Sequence, residues 1–132
     1  MVQHTILIVE DEPDTAEMFA EMMRLSGYRV IKTYGGAAAM KMLGQEQPHA
    51  LVLDLMMPDI SGLEVLRYVR RDPALTHIPV IIVTAKSMPA DVQTGLDAGA
   101  TTYLTKPVSF SDLRQAVAHA IQQSIFPAVA DD

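Results

Sequence analysis

Thr5-Ile6-Leu7-Ile8-Val9, followed at once by Glu10-Asp11-Glu12, sets an apolar, mostly β-branched run directly against three acids. A strand half-exposed to water alternates apolar and polar residues, whereas a run without alternation fits a strand covered on both faces. Similar runs recur at Tyr28–Thr33, Ala50–Leu53, Pro79–Val83 and Thr101–Thr105. Between them the apolar spacing turns helical. The first helix is expected to open with Asp14 as N-cap and Glu17 completing a capping box. Its buried face is Ala16, Phe19, Ala20 and Met23, and it stops at Ser26-Gly27, where a glycine suits the left-handed C′ position. A weaker helix spans about Gly36 to Gln47, with Ala39 and Leu43 on one face. The third has Ser61 and Glu64 as its capping box, buries Val65, Leu66 and Val69, and ends at Asp72-Pro73. A fourth, Pro89–Ala98, carries Gly95 inside it at a cost of about 1 kcal/mol against alanine, so it reads as the least rigid. The fifth starts near Ser109 or Ser111 and turns Leu113, Val117, Ala120 and Ile121 towards the sheet.

Strand and helix therefore alternate five times with short connections, which predicts an α/β fold: a parallel five-stranded sheet with right-handed crossovers and helices on both faces. Residues 1–123 read as one domain, and 124–132, where periodicity is lost, as a C-terminal tail. The length of 132 residues fits one domain on a prior of ~150 residues each. Sixteen acids against 10 bases leave a net charge of −6, which disfavours direct nucleic-acid contact, since that needs a basic stripe. The absence of cysteine excludes disulfide scaffolds, thiol chemistry and cysteine zinc sites. His4, His49, His77 and His119 lack ligand spacing, and His119 reads as solvent-facing. No apolar stretch approaches the ~20 residues of a membrane span, and no secretory leader is visible, so a cytoplasmic location is expected. The nine methionines read mostly as core filling, with Met18, Met22, Met23, Met40 and Met42 on helices. Gly35-Gly36 reads as a turn rather than a phosphate cradle.

The polar residues gather where the strands end: Glu10-Asp11-Glu12 after the first, Asp54 after the third, Thr84 after the fourth and Lys106 after the fifth. Ligands of open α/β sheets bind in the crevice beyond these carboxyl ends. Any one of these residues alone is an ordinary helix cap or loop charge; their coincidence at one edge carries the argument. If the first and third strands are neighbours, Glu10, Asp11 and Asp54 converge and repel one another unless a cation lies between them. Hard oxygen donors in a partly open shell suit Mg²⁺. Asp54 is then a candidate nucleophile that can form an aspartyl-phosphate. Lys106 supplies positive charge to a phosphoryl oxygen and the Thr84 hydroxyl donates to another, which is the positioning and charge stabilisation that phosphoryl transfer asks for.

Four ordered motifs make the pattern specific: Ile6-Leu7-Ile8-Val9-Glu10-Asp11-Glu12, Leu53-Asp54-Leu55-Met56-Met57-Pro58-Asp59-Ile60-Ser61-Gly62, Pro79-Val80-Ile81-Ile82-Val83-Thr84-Ala85 and Gly99-Ala100-Thr101-Thr102-Tyr103-Leu104-Thr105-Lys106-Pro107. Through them, from residue 4 to about 123, the chain resembles the response-regulator receiver domains of two-component and phosphorelay signalling. The resemblance implies a flavodoxin-like three-layer sandwich of strand order 2-1-3-4-5. It implies that Asp54 is the phosphoacceptor and that Asp11, Asp54 and the Met56 backbone carbonyl ligate Mg²⁺, with Glu10 acting mostly through bound water. Thr84 would be the switch hydroxyl, Tyr103 the aromatic that swings inward behind it, and Lys106 the partner of the phosphoryl group, with a cis bond at Lys106-Pro107. Phosphorylation would then alter the surface of helix 4, strand 5 and helix 5. Met56 and Lys86, each two residues beyond a site residue, are expected to tune phosphoryl lifetime from the pocket mouth.

The implied partners are a histidine kinase or histidine phosphotransfer protein upstream and an effector protein, or an output domain of a longer chain, downstream. Receivers of the winged-helix transcription-factor subfamily carry Asp-Asp and an arginine where this chain has Thr101-Thr102 and Ala116. Dimerisation through that charged face is therefore not expected, leaving a monomer or a phosphorylation-dependent dimer. Two other readings compete with the switch. A phosphorylation-independent interaction scaffold would have no need of Asp54, Thr84 and Lys106 together. An aspartyl-phosphate phosphohydrolase would carry a second Asp two residues after the nucleophile, where this chain has Met56. The chain is thus expected not to be an enzyme beyond assisting its own phosphorylation and dephosphorylation.

Overall fold

In the computed structural model, which describes residues 3–125, five strands and five helices alternate. The strands are β1 (Thr5–Val9), β2 (Arg29–Thr33), β3 (Ala50–Leu53), β4 (Val80–Thr84) and β5 (Thr102–Thr105). The helices are α1 (Pro13–Leu25), α2 (Gly36–Gln45), α3 (Gly62–Arg71), α4 (Pro89–Asp97) and α5 (Phe110–Ile125). All strand pairs are parallel, in the order β2-β1-β3-β4-β5. This is the flavodoxin-like arrangement that the motifs imply.

The unbroken apolar runs have the cause expected of them: β1, β3 and β4 are buried along their whole length. Alternate residues serve opposite layers. Leu7, Val9, Leu51, Leu53, Val80 and Ile82 face one core with Ala39 and Leu43 of α2 and Val65, Leu66 and Val69 of α3. Ile6, Ile8, Ala50, Val52, Ile81 and Val83 face the other with Ala16, Phe19 and Met23 of α1 and Leu113, Val117, Ala120 and Ile121 of α5.

Several local expectations need correction. The N-cap of α1 is Glu12, not Asp14: Pro13 occupies the first turn, and the Glu12 side chain accepts from the Asp14 N–H. Proline there gives up an N–H that has no intrahelical partner and supplies a φ already suited to the helix. Ser61 does cap α3, accepting from the Leu63 N–H at 3.2 Å, but Glu64 turns to Arg67 instead of closing the box. Met18 is 47% exposed rather than core. Helix α5 continues through Ser124 to Ile125, so the proposed tail boundary cuts a helix; residues 126–132 lie outside those described. The expected stop of α1 is present, with Gly27 at φ 95°, and His119 is exposed.

Candidate functional site

Strand register builds the site. Val9 pairs with Leu53 across β1 and β3, so the next residues, Glu10 and Asp54, emerge side by side. The pairing continues past the strand ends, with the Asp54 N–H donating to the Val9 carbonyl at 3.0 Å. Thr84 pairs with Thr105 across β4 and β5, which places Lys106 one step beyond the same edge. A one-residue slip in either pair would turn these side chains to the opposite face.

Glu10, Asp11 and Asp54 each offer a carboxylate oxygen within 4.8 Å of the others, and no other such acidic or histidine cluster occurs among the described residues. Glu10 and Asp54 are only 2% and 6% exposed, so little solvent screens their repulsion. Lys106 lies between them, its Nζ donating to Glu10 Oε1 at 2.6 Å and to Asp54 Oδ2 at 2.9 Å. The second oxygen of each acid is also used: Asp54 Oδ1 accepts from the Met56 N–H and Glu10 Oε2 from the Glu12 N–H.

The two acids respond differently. Burial works against ionisation of Asp54, but the Lys106 ammonium and the Met56 N–H outweigh it and hold its carboxyl below the usual range. For Glu10 burial dominates over Lys106, and its pKa is raised. Burial likewise opposes the charge on Lys106, yet the two carboxylates prevail and raise its pKa. The Lys106 ammonium and the Met56 N–H thus favour the charged form of Asp54, the form in which a carboxylate oxygen can attack an electrophile, whereas burial disfavours the charged form of Glu10.

Thr84 completes the edge. Its Oγ1 is fully buried and is the one buried side-chain polar atom without a hydrogen-bond partner among the described residues. Its proximity helps to lower the Asp54 pKa, but the two groups do not meet in hydrogen-bond geometry. A buried hydroxyl without a partner is costly, and it is free to bond a group arriving at the site. Tyr103 does not point towards Thr84 here: its hydroxyl donates to the Lys86 carbonyl in the β4–α4 loop at 2.7 Å. Met56 is 53% exposed beside the cluster, and the Lys106-Pro107 bond is cis.

Hard oxygen donors, two of them nearly buried, fit a small divalent cation better than any soft metal. Glu10, Asp11 and Asp54 are the groups brought together that could hold it. The sequence singled out every one of these residues. It missed the roles of Gly95 and Asp59. A Cβ at Gly95 would lie 2.8 Å from two carbons of the Tyr103 ring, so this glycine clears space for the aromatic rather than loosening α4. Asp59 donates no chemistry to the cluster but reaches α2, accepting from Gly36 and Ala37 N–H groups. An N-terminal Gly-Gly without a capping side chain, with an unassigned Asp elsewhere, was the available signal.

A parallel sheet of this order, with carboxylates, a hydroxyl and a lysine meeting at its carboxyl edge, defines a receiver-type module of two-component signalling. Residues 6–118 match the family model described as the response regulator receiver domain, and the chain belongs to that family. It is 35% identical over 105 residues to the polar-differentiation response regulator DivK of Brucella anthropi, covering 80% of this chain and 85% of that one. It is 39% identical over 115 residues to a probable cyclic di-GMP phosphodiesterase of Vibrio cholerae; that match takes in 87% of this chain but only 26% of the relative. Among solved structures, a response regulator from Chloroflexus aurantiacus superposes with a TM-score of 0.88 at 31% identity, covering 92% of this chain and 99% of that one. A CheY-like receiver domain from Methanospirillum hungatei shares the fold at a TM-score of 0.89 and 22% identity, covering 96% and 100%. No described helix is long and apolar enough to cross a membrane.

Proposed function

We propose that the chain is a phosphorylation-dependent switch that accepts a phosphoryl group on Asp54 from a histidine kinase or a histidine phosphotransfer protein. The observation that carries the reading is the pairing of a nearly buried Asp54 with Lys106 at 2.9 Å, beside a buried Thr84 hydroxyl that has no partner among the described residues. An Asp54 carboxylate oxygen attacks the phosphorus of the phosphohistidine, and an O–P bond forms as the N–P bond breaks. The bonding pair stays with the imidazole nitrogen, which takes up a proton. Lys106 meets a phosphoryl oxygen with positive charge, and Thr84 donates to another. Asp11, Asp54 and the Met56 carbonyl, supported by Glu10, would hold Mg²⁺, whose charge would offset that of the phosphoryl oxygens.

The switch follows from Thr84. Drawn to the phosphoryl group, it leaves space that Tyr103 fills by giving up its bond to the Lys86 carbonyl. The face formed by α4, β5 and α5 changes with it, and an effector protein or an output domain reads the change. The chain acts in the cytoplasm and is not an enzyme in its own right; it assists only its own phosphorylation and dephosphorylation.

The test is intact-mass analysis after incubation with a small acyl phosphate and Mg²⁺. Wild type should gain one phosphoryl mass and Asp54→Asn none. No gain in wild type would favour a phosphorylation-independent scaffold, and turnover of added phosphoesters a phosphohydrolase.

A further inference from the structure

Helix α2 begins without the usual means of satisfying its first N–H groups. Its N-cap is Gly35, which has no side chain to offer, and its first turn contains no acid. The first four N–H groups of a helix lack intrahelical partners, and a carboxylate placed there is favoured by the helix dipole as well. Here that carboxylate comes from another part of the chain. Asp59, in the loop between β3 and α3, accepts from the Gly36 N–H through Oδ1 at 3.1 Å and from the Ala37 N–H through Oδ2 at 3.0 Å. The N–H groups of Ala37, Ile60 and Gly36 hold its carboxyl below the usual carboxylate range.

The two glycines make the approach possible. A Cβ at Gly35 would lie 2.9 Å from an Asp59 oxygen, and one at Gly36 would lie 2.7 Å from Ile60 Cβ. The Gly35-Gly36 turn is therefore a cradle for the loop that follows the phosphoacceptor. That loop is pinned at its ends as well, by the Met56 N–H on Asp54 Oδ1 and by the Gly62 N–H on the Leu55 carbonyl at 3.0 Å. Between these two ties run Met56 to Ser61; Ser61 caps the adjoining α3, and among the described residues the side-chain bonds that tie this stretch to α2 are those of Asp59.

We propose that Asp59 is a positioning residue that anchors the β3–α3 loop on the α2 N-terminus and so holds the Met56 carbonyl in place for a divalent cation. The inference rests on the proposed function, since it concerns the same site. Groups that orient a metal ligand from behind commonly carry ~10- to 100-fold in affinity; one part-buried and one exposed bond, acting through the intervening Met57 and Pro58, place Asp59 at about 3- to 10-fold.

The experiment is a Mg²⁺ titration of the full chain, without phosphodonor, followed by backbone amide NMR, together with thermal unfolding in EDTA. Asp59→Ala should raise the Mg²⁺ dissociation constant about 3- to 10-fold, while Asp59→Asn, which keeps one acceptor oxygen, should recover part of the loss. Gly35→Ala, which displaces the carboxylate with Asp59 intact, should weaken Mg²⁺ in the same direction. A lower melting temperature with unchanged Mg²⁺ affinity in both Asp59→Ala and Gly35→Ala would mean a mere helix cap and would overturn this inference alone. Absence of Mg²⁺ binding in wild type would instead overturn the metal site of the proposed function, and the inference with it.

Discussion

Gly95→Ala should change sign with the residue that faces it. In an ordinary helix interior the substitution stabilises by about 1 kcal/mol, because alanine loses less backbone entropy than glycine. In α4 the new methyl would lie 2.8 Å from two carbons of the Tyr103 ring and 3.1 Å from Ile82 Cδ1. Contacts that close force the ring to move, at an overpacking cost of about 1–3 kcal/mol. Moving the ring also strains the Tyr103 bond to the Lys86 carbonyl, worth about 1 kcal/mol. The net expectation in wild type is destabilisation of about 1–2 kcal/mol. In a Tyr103→Ala background the obstacle is gone, and Gly95→Ala should stabilise by about 1 kcal/mol, provided Ile82 shifts its terminal methyl. Urea unfolding followed by circular dichroism, run on wild type, both single variants and the double variant, measures the coupling directly. A coupling energy of about 2–3 kcal/mol is expected; a value below about 0.5 kcal/mol would show that Gly95 is not the seat of the Tyr103 ring.

Lys106→Met leaves Glu10 and Asp54 facing each other without a cation, and should destabilise the fold by about 2–4 kcal/mol at pH 8 in EDTA. The deficit should shrink as the pH falls, because losing the ammonium raises the folded-state pKa of Glu10 and Asp54 in the variant above their wild-type values, so the folded variant takes up protons first; a deficit independent of pH would contradict the pairing. His49 accepts the Thr5 N–H on Nδ1 at 2.9 Å, and burial, followed by the neighbouring His4, lowers its pKa from 6.5. Between 6.5 and that lower value the unfolded chain binds more protons, so stability should fall as pH drops through this window. His49→Ala should flatten the slope, as read by unfolding midpoints at several pH values. Gly62→Ala drives a Cβ into the Asp54 carbonyl oxygen, a backbone atom that cannot step aside. It should cost about 3 kcal/mol or more, and a variant of wild-type stability would contradict the close approach of α3 to the end of β3.

The chain order of elements, the buried faces of α1, α3 and α5 and every residue of the acidic edge were legible from one dimension. The physical reason is that each is a local property: β-branched runs without alternation, apolar spacing of helical period, and charged residues displaced to the ends of strands. Resemblance added the strand order and the cis bond at Lys106-Pro107, which neither composition nor spacing contains. What the tertiary structure alone decided are the contacts between segments far apart in sequence. Strand register makes Glu10 and Asp54 neighbours and brings Lys106 between them. Burial sets their ionisation in opposite directions. Gly95 appears flexible until the Tyr103 ring is seen against it, and Gly35-Gly36 a plain turn until Asp59 arrives 23 residues later. A glycine in a sequence reports that a side chain is missing, and only the fold says what occupies the space.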